Sequence, residues 1–203
     1  TNGAQVLLTP RASTHIHVNM LGQSVRTLLG FMTIYATIEP LLLRLCGPTR
    51  NGNLFCLPAY ETGDLAYTAA RICTAVQNSP RHHWPVKRGK YAALNLDPLF
   101  TYGSVELRCF PNCITPETIH KWAAWALNIR NLASDYDDPT YMSLIDRTCD
   151  DPAWLNHSVF GPENLPTYCY PNTPYELMMF GVEQGYEVAK QALEILDYKN
   201  CTS

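Results

Sequence analysis

The sequence is short of charge, and what charge it has leans to neither sign strongly. Asp, Glu, Lys and Arg make up 16% of its 203 residues. That is below the quarter or so usual in globular chains, so much surface is expected to be buried or to face a partner. Lys and Arg number 15 against 18 acids, a formal charge of −3, and no polybasic run occurs. This excludes a broad electrostatic footprint for nucleic acid and a strong pull toward anionic membranes. The eight cysteines form no CxxC pair, which argues against a zinc knuckle or a thioredoxin-type motif. Eight are also too few for a disulfide scaffold in this length, so free thiols and a cytoplasmic setting are expected. Arg11, His15 and His17 interrupt any signal-peptide core in the first thirty residues. The chain opens on Thr1 rather than Met, which raises the expectation of a processed or partial chain. The sequons Asn156-His-Ser and Asn200-Cys-Thr matter only in a secreted protein.

Apolar residues, at 46%, suffice for a real core, and the length suits one domain over residues 1–203. Thr14–Met20 alternates: Ile16 and Val18 face one way, His15, His17 and Asn19 the other, which predicts a strand. Gln23–Cys46 has helical periodicity and a long apolar run. Glu39, Pro40 and Arg44 within it point to a Pro-kinked core helix rather than a membrane span. Asp64 predicts an N-cap for a helix to about Asn78. Tyr91–Leu96 and Ser104–Phe110 read as strands, the second with Val105, Leu107 and Cys109 on one face and Glu106, Arg108 and Phe110 on the other. Thr115-Pro116-Glu117 opens a helix to about Ala133 with Trp122, Trp125, Ala126 and Ile129 inward. An acidic loop follows at Asp135–Asp138, then a short helix near Tyr141–Asp146. The capping box Thr173-Pro-Tyr-Glu176 opens a final helix to about Tyr198. Hairpin strands with grouped helices predict an α+β fold, an antiparallel sheet with helices on one face.

The other face carries unusual residues: His15 and His17 on the first strand, Asn95 on the second with Lys90 at its mouth, Glu106 and Arg108 on the third. Residues two apart on a strand lie about 7 Å apart on one face. Neutral imidazoles there can take a divalent ion or substrate oxygens. Glu106 adds a hard oxygen suited to Mg²⁺ or Mn²⁺, and Arg108 a planar fork for phosphate. Alone, an H-x-H pair or an E-x-R pair is ordinary strand furniture. Together on three apolar-backed strands they form the equipment of phosphoryl transfer.

These motifs resemble the amidoligase family, ATP-dependent carboxylate–amine ligases related to glutamine synthetase. The family's H-V-H-V strand is similar to His15-Ile-His17-Val, and its K-Y-x-A-L-N-L strand to Lys90-Tyr-Ala-Ala-Leu-Asn95-Leu. Its E-F-R strand is similar to Glu106-Leu-Arg108. An Arg and Asn segment before an aromatic-Cys pair is similar to Arg50–Cys56, and the I-x-x-W helix to Thr115–Trp122. The resemblance implies a glutamine synthetase-like sheet, with His15 and Glu106 as metal ligands and His17 and Arg108 as catalytic groups. It implies Arg108, Lys90 and Arg88 at nucleotide phosphates, and Asn95 and Arg50 at substrate. Mg²⁺ or Mn²⁺ would be the cofactor, ATP the co-substrate, and peptide or small-molecule carboxylates and amines the partners. The superfamily's earlier Glu-bearing strands would precede Thr1. The sheet is therefore expected to be incomplete on that side and completed by an upstream segment or a second chain in an oligomer. Residues 135–203 carry no match and read as a family-specific C-terminal extension.

Two further readings stand beside a ligase. A non-catalytic binding or assembly protein, in a virion or another assembly, would keep the fold without turnover. A zinc hydrolase built on the H-x-H strand is weaker, because His82, His83, His120 and His157 lack a matching strand context.

Overall fold

The structure, a computed structural model, describes residues 12–50, 53–62, 65, 68, 91–113, 115–135, 142–164 and 173–200. The predicted helix after Asp64 and the loop with Lys90 and Arg88 lie almost wholly outside these residues, as does most of the acidic loop.

Strand β1 (Ser13–Asn19) leads into helix α1 (Val25–Cys46). Ser24 caps α1, its Oγ accepting from the Thr27 N–H at 3.0 Å. Gly47, at φ 89, ends it in a backbone region that only glycine enters cheaply. α1 is buried on nearly every side. Its most apolar stretch has a mean hydropathy of 1.4, long and apolar enough to cross a membrane, and 89% of that stretch is buried inside the fold. Glu39, fully buried in α1, accepts the Ala59 N–H with both carboxylate oxygens, at 2.9 and 2.8 Å. It thereby caps the single turn α2 (Ala59–Thr62).

A short strand β2 (Leu94–Asn95), a turn of helix α3 (Leu99–Tyr102) and strand β3 (Ser104–Pro111) follow. The sheet is antiparallel in the order β1-β3-β2, with His17 and Asn95 both registered on Glu106. The α+β class is thus present in a small three-stranded sheet. β2 is shorter than the Tyr91–Leu96 expected because its backbone bonds divide. Tyr91 and Ala93 bond to Leu57, and only Ala93 to Asn95 reach β3. Between Thr14 and Ile16 the register shifts, so His15 alone stands against Arg108 and Cys109. That bulge breaks the strict alternation expected of β3, and Phe110 enters the core instead of the polar face, stacking on Trp122 at 5.0 Å.

Helix α4 (Pro116–Asp135) turns Trp122, Trp125, Ala126 and Ile129 inward as its periodicity predicts. α5 (Met142–Asp150) runs longer than expected. α6 (Pro152–Phe160), capped by Asp151 with Pro152 at its first turn, falls where no element was expected. Its Asn156 is 3% exposed, so that sequon is closed to a glycosyltransferase in the folded chain. The last helix, α7 (Thr173–Asn200), packs along α1. A Cβ on Gly181 would sit 1.9 Å from the Thr37 carbonyl oxygen, and one on Gly185 1.9 Å from the Thr37 hydroxyl. Glycines four apart therefore let the two backbones approach. In this way the chain beyond residue 135 packs, through α7, onto the N-terminal half.

A candidate site around Glu106

The bulged strand pair gathers five of the expected side chains into one cluster, with Glu106 at its centre. Glu106 lies on the middle strand and is 6% exposed, so the polar face is less open than the sequence pattern suggests. Its Oε1 lies 2.6 Å from His15 Nδ1 and 3.7 Å from His17 Nε2. Its Oε2 accepts from Asn95 Nδ2 at 2.6 Å and lies 3.5 Å from Arg108 Nη1. A carboxylate met by donors at both oxygens keeps its orientation.

His15 is held below the ordinary imidazole range. Burial is the larger cause and the Arg108 guanidinium the next, with Glu106 pulling the other way. The ring is therefore neutral at pH 7. A carboxylate can only accept, so His15 Nδ1 carries the proton and donates it to Glu106. Nε2 is then the acceptor, and Ser13 Oγ, 2.8 Å away, donates to it. His17 Nδ1 meets Ser104 Oγ at 3.1 Å. Asn95 Oδ1 accepts the Asp97 N–H at 3.0 Å, which brings a second carboxyl near the first. Burial, then the charge of Glu106, pushes the Asp97 carboxyl above its ordinary value.

Arg50 takes a different place. It is 1% exposed and donates to the carbonyls of Arg108, at 2.6 Å from Nη2, and Cys109, at 3.3 Å from Nε. Those are the two residues of the bulge, whose carbonyls have left the regular ladder. Arg50 thus braces the strand that presents Glu106 and Arg108. Lys90 and Arg88 lie outside the described residues. Ser13, Ser104 and Asp97 join the cluster without having been expected. Ser13 could have been found, being one period-two step before His15, and Asp97 likewise follows Asn95.

Arg108 Nε is buried and has no hydrogen-bond partner among the described residues. A buried, unmatched donor on a cation is a seat for an anion. Among the described residues no group of three or more His, Cys, Asp or Glu is arranged to enclose a metal. The donor set does fit Mg²⁺ or Mn²⁺ held in an open manner. Such ions commonly take one or two carboxylates and complete their shell with water and substrate phosphate. Glu106 would supply the oxygen, with His15 beside it.

An α+β chain thus carries a carboxylate, two imidazoles and a guanidinium together on one sheet. Residues 1–130, which include the whole cluster, match the family model described as "Putative amidoligase enzyme", and the chain belongs to the amidoligase family. No curated protein and no solved structure matches it. The five described cysteines, Cys46, Cys56, Cys109, Cys113 and Cys149, are free thiols.

Proposed function

We propose that the chain is an ATP-dependent ligase that joins a carboxylate to an amine through an acyl phosphate. The observation that carries this reading is the pairing of Glu106, contacted by four neighbouring side chains, with the spare buried donor of Arg108. Membership of the amidoligase family gives that pairing its reaction class.

In this reading Arg108 receives the phosphate undergoing transfer, with Lys90 and Arg88 along the nucleotide. Glu106 and His15 would hold Mg²⁺ or Mn²⁺, which when bound would neutralise phosphate charge and align the reactants. Asn95 and His17 lie on the substrate side. Arg50 acts on substrate only through the strand it braces. The substrate carboxylate attacks the γ-phosphorus and ADP departs. The amine nitrogen then attacks the acyl carbon, phosphate leaves, and the amine's surplus proton is lost. Phosphate departs as a stable dianion, where oxide could not, which makes the carbon open to attack. An upstream segment or a second chain would complete the sheet beyond β1, and a cytoplasmic setting would supply the nucleotide.

Hydroxylamine tests the reading, because it captures acyl phosphates as coloured hydroxamates. The chain is incubated with Mg-ATP, hydroxylamine and sets of amino-acid and peptide carboxylates. Stoichiometric ADP and hydroxamate are expected with at least one set. Absence of ATP binding by calorimetry would sink the ligase and leave the non-catalytic assembly reading.

A further inference from the structure

The ligase reading leaves one close contact of the site without a part, that between Ser13 and His15. We propose that Ser13, His15 and Glu106 form a serine acyl-transfer relay, giving the chain an esterase activity on small activated esters that needs neither nucleotide nor metal. Ser13 Oγ lies 2.8 Å from His15 Nε2, and His15 Nδ1 lies 2.6 Å from Glu106 Oε1. Both distances fall within the reach required of a nucleophile, its base and the group that orients the base. The proton placement is also the required one. Glu106 can only accept, so it fixes the tautomer with Nε2 free to take the serine proton. Glu106 is itself held at its other oxygen by Asn95 at 2.6 Å, so the imidazole is aimed by a fixed partner.

Access and charge stabilisation are present as well. Glu106 is buried, the side chain of His15 is 34% exposed, and Ser13 is half-buried at the start of β1. Among the described strands β1 pairs with β3 alone. Arg108 stands opposite His15 in the bulge, and its guanidinium is assigned to the oxygen that gains charge as a carbonyl becomes tetrahedral. This use of the cluster resembles serine hydrolases in roles only. The nucleophile and its base lie two residues apart on one strand, and the acid comes from the neighbouring strand.

The step balances as follows. Ser13 Oγ bonds to the acyl carbon while its proton passes to His15 Nε2. The ester C–O bond breaks and the departing alkoxide takes that proton. Water then attacks the acyl-serine, giving a proton to the same nitrogen, which returns it to Ser13 as the acid leaves. The net change is ester plus water to acid plus alcohol.

The full chain is treated, in chelator and without nucleotide, with p-nitrophenyl acetate and separately with a fluorophosphonate. These conditions make the outcome independent of the ligase reading. A burst of one p-nitrophenol per chain is expected, and a fluorophosphonate adduct mapped by mass spectrometry to the peptide bearing Ser13. Ser13→Ala gives up one contact at a strand end and is expected to fold as wild type by circular dichroism while losing the adduct. Glu106→Gln is expected to slow acylation by about three to four orders of magnitude, the cost of an unfixed tautomer. Absence of adduct on folded wild type, an adduct on another residue, or labelling that survives Ser13→Ala would each overturn the proposal.

Discussion

Glu106→Gln separates a structural carboxylate from a chemical one, and the structure sets the size of both effects. The glutamine keeps the shape of the side chain, and its amide oxygen can still accept from Asn95, now 2.6 Å from Oε2. Its NH₂ then falls where Oε1 meets His15 Nδ1 at 2.6 Å, so the imidazole must move its proton to the other nitrogen and lose Ser13 as a donor. Arg108, 3.5 Å from Oε2, loses its anion at a position only 15% exposed. Hydrogen bonds to charged groups contribute about 1.5–3 kcal/mol each, and coupled contacts do not add in full, so a loss of about 2–4 kcal/mol is expected. In a chain of this size each kcal/mol moves the melting midpoint by about 2–4 °C, which gives a fall of roughly 5–15 °C. The fold should survive at 25 °C, so activity can be read on the same sample. Turnover, measured as ADP release with hydroxamate formation, should fall by orders of magnitude, because the charge that would hold a divalent ion is gone. A midpoint within about 2 °C of wild type would refute the contact set. Turnover within tenfold of wild type would refute the chemical role of the carboxylate.

Gly181→Ala should destabilise although alanine is the better helix former by about 1 kcal/mol, because its Cβ would lie 1.9 Å from the Thr37 carbonyl oxygen and push α7 off α1. A net loss of about 1–3 kcal/mol in urea titration is expected, and an unchanged or higher midpoint would refute the close packing. Arg50→Lys keeps the charge but lacks the fork that reaches the Arg108 and Cys109 carbonyls together, so it should cost about 1–3 kcal/mol and lower kcat more than it raises KM. A variant as stable and active as wild type would mean that Arg50 does not brace the bulge. Alkaline pH should weaken the fold: burial pushes the Cys56 thiol from 9.0 up to about 11, and the Cys109 thiol and Tyr35 hydroxyl also rise well above their ordinary values. The unfolded chain releases these protons first. The stabilisation is thus complete below about pH 9 and fades as pH climbs through 11, and a urea midpoint flat from pH 8 to 11 would contradict it.

The elements that periodicity or capping specifies were readable in advance. β1 alternates, α4 shows Thr115-Pro116 before an inward Trp stripe, and α7 opens on Thr173-Pro-Tyr-Glu176. The five clustered site residues followed from the same alternation, since a period of two puts His15 with His17 and Glu106 with Arg108. The β3 bulge was not readable, because one extra residue leaves no mark on composition, yet it sends Phe110 to the core and leaves two carbonyls for Arg50. Arg50 was therefore expected at substrate, whereas it is a buried brace on those carbonyls. β2 was overextended because a strand pattern does not reveal that half its amide bonds go to Leu57. α6 carries in Asp151-Pro152 the same signal that opened α4, and its weak amphipathicity hid it. The contact of α7 on α1 depends on Gly181 and Gly185, whose spacing matters only once a partner helix is known.

The packing of α7 on α1 has a consequence for how the chain is made. α1 is synthesised before the helix that covers it, and its apolar stretch has the length and hydropathy of a membrane segment. The helix that lies along it emerges well over a hundred residues later. At ordinary elongation rates that interval is on the order of ten seconds. Throughout it, α1 presents to the cell a surface that targeting factors and chaperones compete to bind. α7 thus settles the fate of a helix synthesised long before it, and a transcript cut short before residue 173 would release a nascent chain in which α1 has lost its principal cover.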